Sequence, residues 1–272
     1  MNKKTDLTIT SWNVDEFNRC PKQFWVSANN PSDLPGIQAS ALRAIEAANE
    51  VRDRGQQFMI KDDDYIATVL GNCTASHELT HTHLDNGEVS LIHGATFFVN
   101  GVLAKVDGIR KLSEVSGSNF CQGLEIIMVT SSTKYKPSTH LKKAAFLQYA
   151  ITINPFMRVE RVTLLHVNSD YVAGGNEPQF IEVDLTHEIG LGDVESVRTS
   201  VEEMRLTVSD AEPVVRIGAQ CSANGHDCPL MAICWKDVSE PTIYDIPRLS
   251  GGVSKLSKVL ARFTLKIPRL EC

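Results

Sequence analysis

LEIIMVTSST, residues 124–133, is an apolar run that passes without a break into a cluster of small hydroxylated residues. Its length and its branched side chains read as a strand. Upstream, Thr96–Val106 alternates loosely and ends on an acid, Asp107, followed by Gly108. An acid leaving one strand beside a second strand that ends in small polar residues is a layout suited to a divalent cation. Side chains alternate across a strand, so Ile126, Met128 and Thr130 share one face. That face carries neither an acid nor a lysine.

Outward from this centre the pattern is that of an α/β layered domain. Val89–Ile92, Thr96–Val106 and Leu124–Val129 are expected as consecutive strands, with SEVSGSN (113–119) as a hairpin loop. Pro137–Ile153 reads as a helix capped by Ser138 or Thr139, with Leu141, Ala145, Phe146 and Tyr149 on its buried side. Arg161–Val167 is apolar enough for a covered central strand. Phe180–Leu185 follows as a strand and Ile189–Val208 as a long helix. On the N-terminal side, Ile37–Phe58 reads as a helix with Ile37, Ala41, Leu42, Ile45, Ala48 and Val51 on one stripe. It is preceded by the loop NNPSDLPG (29–36), ends in the acidic turn KDDD (61–64), and is followed by a short strand in Tyr65–Leu70. An earlier helix starts after Thr10, with Ser11 or Asn13 as cap and Trp12, Phe17, Phe24 and Trp25 facing a core; Cys20-Pro21-Lys22 interrupts it. Cys73–Asn86 reads as an irregular connection carrying surface histidines. His77 and His81 are four residues apart, but Glu78 and Asp85, the nearby acids, have no typical metal-ligand spacing.

At 272 residues and 30.0 kDa the chain is long enough to bury a sizeable core. No apolar run approaches the roughly 20 residues that span a bilayer, and MNKKTDLTIT lacks the apolar core of a secretory signal. A cytoplasmic protein without a membrane partner is expected. The net charge of −6 argues against wrapping nucleic acid by bulk charge and leaves room for a local basic groove. Two patches qualify: Lys134, Lys136, His140, Lys142 and Lys143; and Arg248, Lys255, Lys258, Arg262, Lys266 and Arg269. The first lies beside the candidate site.

Seven cysteines in a chain with no export signal favour thiol or metal chemistry over disulfides. Cys221, Cys228 and Cys234 lie in QCSANGHDCPLMAICW (220–235), and Cys20 is the candidate fourth ligand. Four thiolates suit a [4Fe–4S] cluster or a structural zinc, and spacing alone leaves the two open. Joining Cys20 to the C-terminal group would close a loop of about 200 residues, which strong ligation can sustain. Cys73, Cys121 and Cys272 have no partner at ligand spacing.

GVLAKVDGIRKL (101–112), LEIIMVTSSTKYK (124–136), HLKKAAFLQYAI (140–151) and RVTLLHVNSDYV (161–172) resemble the nuclease core of the PD-(D/E)XK superfamily. The resemblance is to the RecB-like branch, which includes CRISPR-associated exonucleases, and covers about Thr10 to Leu249. It implies a restriction-endonuclease-like α/β core, a mixed central sheet flanked by helices, with an iron–sulfur clasp joining the N- and C-terminal parts. The implied division is an N-terminal segment 1–36, a core 37–210 and a cysteine-rich segment 211–272. The one-plus-three cysteine arrangement of the branch favours iron over zinc at Cys20, Cys221, Cys228 and Cys234.

On the family's register Asp107 keeps the first metal-ligand position. Met128 stands at the second acid, Thr130 at the lysine, and Leu147 where relatives carry Gln two residues before the matching Tyr149. Such cores use two carboxylates to hold Mg2+ or Mn2+ and a lysine to offset developing charge. Glu125 lies on the other strand face; Glu46 or Glu50 is the better substitute acid. The expectation is therefore a pseudo-nuclease that serves as a nucleic-acid-binding or scaffolding subunit. Lys134, Lys136, Lys142 and Lys143 would contact single-stranded or end-containing DNA, with a separate nuclease or helicase subunit acting in trans. The alternative is an active Mg2+- or Mn2+-dependent DNA exonuclease with a rearranged site.

Overall fold

The computed structural model describes residues 7–36, 38–112, 122–218, 220–221 and 228–236. Two compact units share the chain: Met1–Val14 with Ile37–Glu202, and Asp15–Gly36 with Glu203–Cys272. SEVSGSN, Cys121, Cys272, Ile37 and the basic patch from Arg248 to Arg269 lie outside the described residues.

The larger unit is mixed α/β. Its helices are α3 (Ala39–Phe58), α4 (Thr74–Asp85), α5 (Pro137–Thr152) and most of α6 (Leu191–Ser209), whereas most of α1 (Ser11–Arg19) and all of α2 (Pro21–Asn29) belong to the smaller unit. The strands β1 (Ile66–Thr68), β2 (Leu91–His93), β5 (Gly108–Lys111), β6 (Gln122–Thr130), β7 (Met157–Val167) and β8 (Phe180–Asp184) form one sheet in the order β1-β2-β5-β6-β7-β8. β1 with β2 and β6 with β7 are parallel, and the other neighbours antiparallel, so the sheet is mixed. β6 and β7 are both interior strands, which is why LEIIMV and VTLLHV are apolar: both are covered.

Thr96–Val106 is not one strand. It is the hairpin β3 (Thr96–Val99) and β4 (Val102–Lys105), a separate two-stranded sheet. Asn100 and Gly101 turn it with φ of 50° and 76°. Positive φ at both central positions is what a tight hairpin requires, and Asn-Gly supplies it with least strain. The chain then makes β5, unforeseen in the sequence, so Asp107 lies between β4 and β5 rather than at a strand end.

The core on one sheet face gathers Met59, Leu91, Ile127, Val129, Leu165 and Phe180, with Val51 and Phe58 of α3 against it. Gly55 lets α3 come close, because a Cβ there would meet a Val129 methyl at 2.5 Å. The stripe expected on α3 is buried only toward its C-terminal end; Leu42 and Ile45 remain 48% and 51% exposed. α5 packs on β6, β7 and the small sheet. Pro137 occupies its first turn, where a missing N–H costs nothing. Lys136, not Ser138 or Thr139, is its N-cap residue. Its buried side is carried by Ala144, Ala145, Phe146, Leu147, Ala150 and Ile151, with Leu141 and Tyr149 only partly covered.

Three further expectations need correction. Thr10 rather than Ser11 opens α1, its hydroxyl and backbone N–H both bonding the Asn13 side chain. Trp12 is 68% exposed, whereas Phe17 and Phe24 are buried edge to face. Cys73–Asn86 is not irregular but holds α4. There the His77 Nδ1 accepts the Phe98 N–H at 3.2 Å, which leaves the proton on Nε2 and no lone pair for a metal.

Candidate functional site

Asp107 is 5% exposed, and every polar atom of its carboxylate has a partner. Oδ2 accepts the Val129 N–H at 2.8 Å and Oδ1 accepts the Arg52 Nε–H at 2.7 Å. Lys143 Nζ stands 3.9 Å from Oδ2. The guanidinium of Arg52 is itself held by the Asn49 side chain, and Gln56 Nε2 donates to the Asp107 carbonyl. Thus α3, where Glu46 or Glu50 was expected to bring a substitute acid, delivers a cation. Both of those glutamates are exposed.

The neighbouring positions are buried or engaged as well. Met128 is 1% exposed, with no hard oxygen to offer. Thr130, at the end of β6, uses its hydroxyl to accept the Ser132 N–H and so shapes the turn. Glu125 is engaged elsewhere: it accepts from Thr163 Oγ1 at 2.7 Å and pairs with Arg110. Arg110 in turn grips both oxygens of Asp64 and donates to the Met59 carbonyl. Burial opposes ionisation of Asp64, but the Lys61 N–H and the Arg110 guanidinium hold its pKa below the ordinary carboxylate value.

Basic and aromatic groups collar the start of α5. Lys134, Lys136 and Lys142 are exposed, and Lys143 is partly covered. The Tyr135 and His140 rings stack at 5.9 Å. Tyr135 donates its hydroxyl to Glu188 at 2.6 Å, and burial together with that carboxylate pushes its pKa up to about 12. The His140 Nδ1 accepts the Lys136 N–H. Burial and then the nearby Lys143, Lys136 and His166 lower its pKa. Tyr149 is partly buried on α5.

The smaller unit holds the second group. Cys20 follows α1 and opens α2; Cys234 closes the single-turn helix α7 (Met231–Cys234). The Cys228 N–H donates to the Cys221 carbonyl at 2.8 Å. Cys20 and Cys221 are buried, Cys228 and Cys234 half-buried, and none is in a disulfide. Burial raises the pKa of Cys20, and Cys221 and Cys234 raise it further, against the Gln23 and Lys22 N–H groups. Burial raises Cys228 likewise, and the other three thiols add to it. Cys20 and Cys228 therefore each feel the other cysteines electrostatically, although Cys20 is about 200 residues from the rest in sequence.

Among the described residues, no three or more His, Cys, Asp or Glu side chains are placed to hold a metal ion as they stand. The donor set nevertheless fits a metal or cluster that takes thiolates: soft sulfur, largely removed from water, whose mutual repulsion a bound cation would relieve. Cys73, by contrast, is exposed and hydrogen-bonds Ser76.

In comparisons with known proteins, the chain matches no family model and no curated protein. No helix among the described residues is long and apolar enough to cross a membrane.

Proposed function

We propose that this chain is a catalytically degenerate PD-(D/E)XK nuclease-like protein that carries a thiolate-bound iron–sulfur cluster and acts as a nucleic-acid-binding or scaffolding subunit. The observation that supports it most is the pairing of Asp107 with Arg52 and Lys143. A hydrolytic site of this type needs carboxylates free to hold Mg2+ or Mn2+. Here the retained carboxylate has a guanidinium at 2.7 Å and the second acid is replaced by buried Met128. Positive charge is supplied by the protein itself, so the scaffold persists without the ion.

Cys20, Cys221, Cys228 and Cys234 would hold the cluster. When bound, it supplies a cross-link between the N-terminal and C-terminal segments of the smaller unit. Zinc is the less favoured occupant, and absorbance from thiolate-to-iron charge transfer in anaerobically purified protein distinguishes the two. Lys134, Lys136, Lys142 and Lys143 would face the phosphate backbone of single-stranded or end-containing DNA.

Two measurements test this reading. Labelled DNA incubated with the protein and Mn2+ is expected to remain intact; degradation that disappears in Asp107→Ala would establish an active exonuclease instead. Binding to single-stranded DNA is expected to weaken steeply with salt. The Lys134→Ala/Lys142→Ala double variant should lower the slope of log affinity against log salt by about 1.4, roughly 0.7 per phosphate contact on a single strand. Binding that ignores salt would leave scaffolding between proteins as the role.

A further inference from the structure

The side chain of Gln23 is 98% buried beside Cys228, and its orientation is fixed at both ends (2% exposed). Its Nε2 donates to Glu16 Oε1 at 2.8 Å, and its Oε1 accepts from Arg19 Nη2 at 2.7 Å. Ser27 Oγ donates to the same Glu16 oxygen at 2.8 Å and keeps the carboxylate in place. Turning the amide over would set its NH2 against a guanidinium that only donates, and its carbonyl against a carboxylate that only accepts. The oxygen therefore stays toward Cys228, whose Sγ lies 3.9 Å away and donates its S–H.

That polarity matters once the sulfur is a ligand. A metal-bound thiolate has no proton to give, so the contact becomes one acceptor facing another. Outer hydrogen-bond partners set how firmly a ligand is held.

Resting on the cluster reading above, we infer that Gln23 is a positioning residue that loosens the hold of Cys228 on a bound metal or cluster. Glu16 and Arg19 act by fixing the Gln23 amide.

The test is the rate at which metal leaves anaerobically purified full-length protein to excess chelator, followed by released iron or zinc. Gln23→Leu removes the facing oxygen and should slow release about tenfold. The Glu16→Leu/Arg19→Leu double variant keeps Gln23 but frees its amide to turn and donate to sulfur, so it should slow release as well. Release as fast as wild type in both amide-directed variants would overturn the inference while leaving the cluster reading intact. Wild-type protein that carries and takes up no metal would overturn both.

Discussion

The Asp107 pocket and the cysteine group handle charge in opposite ways. At Asp107 an acid is surrounded by groups that cancel it: Arg52, Lys143 and the Val129 N–H. At Cys20, Cys221, Cys228 and Cys234, like groups are gathered so that each makes ionisation of another harder. A buried acid with a cation of its own has no electrostatic need for a metal. A crowd of partly buried thiols gains from one, since a cation both offsets their repulsion and replaces lost hydration. The contrast teaches that the residual charge of a pocket, rather than the presence of a single acid in it, sets its electrostatic need for a cation.

The largest effect that would break this comparison comes from returning an acid to β6. Met128→Glu places a carboxylate at a position 1% exposed and should cost about 3–5 kcal/mol, the penalty for a buried charge without a partner. Urea unfolding measures it, and repeating it with Mn2+ asks whether the added acid joins Asp107 around an ion. Recovery of stability with Mn2+ in this variant but not in wild type would show that only the second acid was missing.

A smaller effect is expected from Arg52→Ala, about 1–2 kcal/mol, because the side chain is 38% exposed and water partly compensates for it. If Arg52 stands in for a metal's charge, Mn2+ should raise the melting temperature of this variant more than that of wild type. Equal shifts would mean that the pair only braces α3 against the sheet. DNA hydrolysis is expected from neither protein.

The smallest effect is a pH dependence at the basic collar. The folded-state pKa of His140 lies below the ordinary histidine value of 6.5, through burial and then Lys143, Lys136 and His166. Folding therefore favours the neutral ring, whose Nδ1 can accept the Lys136 N–H. Its contribution is complete above pH 6.5 and is lost as pH falls from there through the depressed value. His140→Asn should flatten the fall of unfolding free energy over that window. An unchanged slope would assign the dependence to other groups.

What could be read beforehand follows from range of interaction. β6, β7 and α5 were legible because strands covered on both faces and an Ala-rich buried helix leave apolar patterns in a few consecutive residues. β5 was not: Gly108-Ile109-Arg110-Lys111 carries two cations, and Arg110 is buried only because Asp64 and Glu125 meet it from distant segments. α4 escaped because Thr- and His-rich sequence carries little apolar periodicity. The positions of Asp107, Met128 and Thr130 were visible, whereas Arg52 was hidden by its place on a helix that is mostly exposed. Gln23 and Glu16 gave no signal, since an amide and an acid in an N-terminal helix look like solvated surface until the thiols pack beside them.

Gly55 ties these observations together. A glycine within a helix costs about 0.5–1 kcal/mol relative to alanine, yet here a methyl would strike the stiff side chain of Val129. The absent methyl acts as a shim: its thinness sets how near α3 lies to β6, and Arg52, one turn earlier on the same helix, inherits that nearness as reach. Thickening the shim to alanine would lift the guanidinium from the acid without altering either residue, so the charge balance of the pocket is governed from a position that bears no charge.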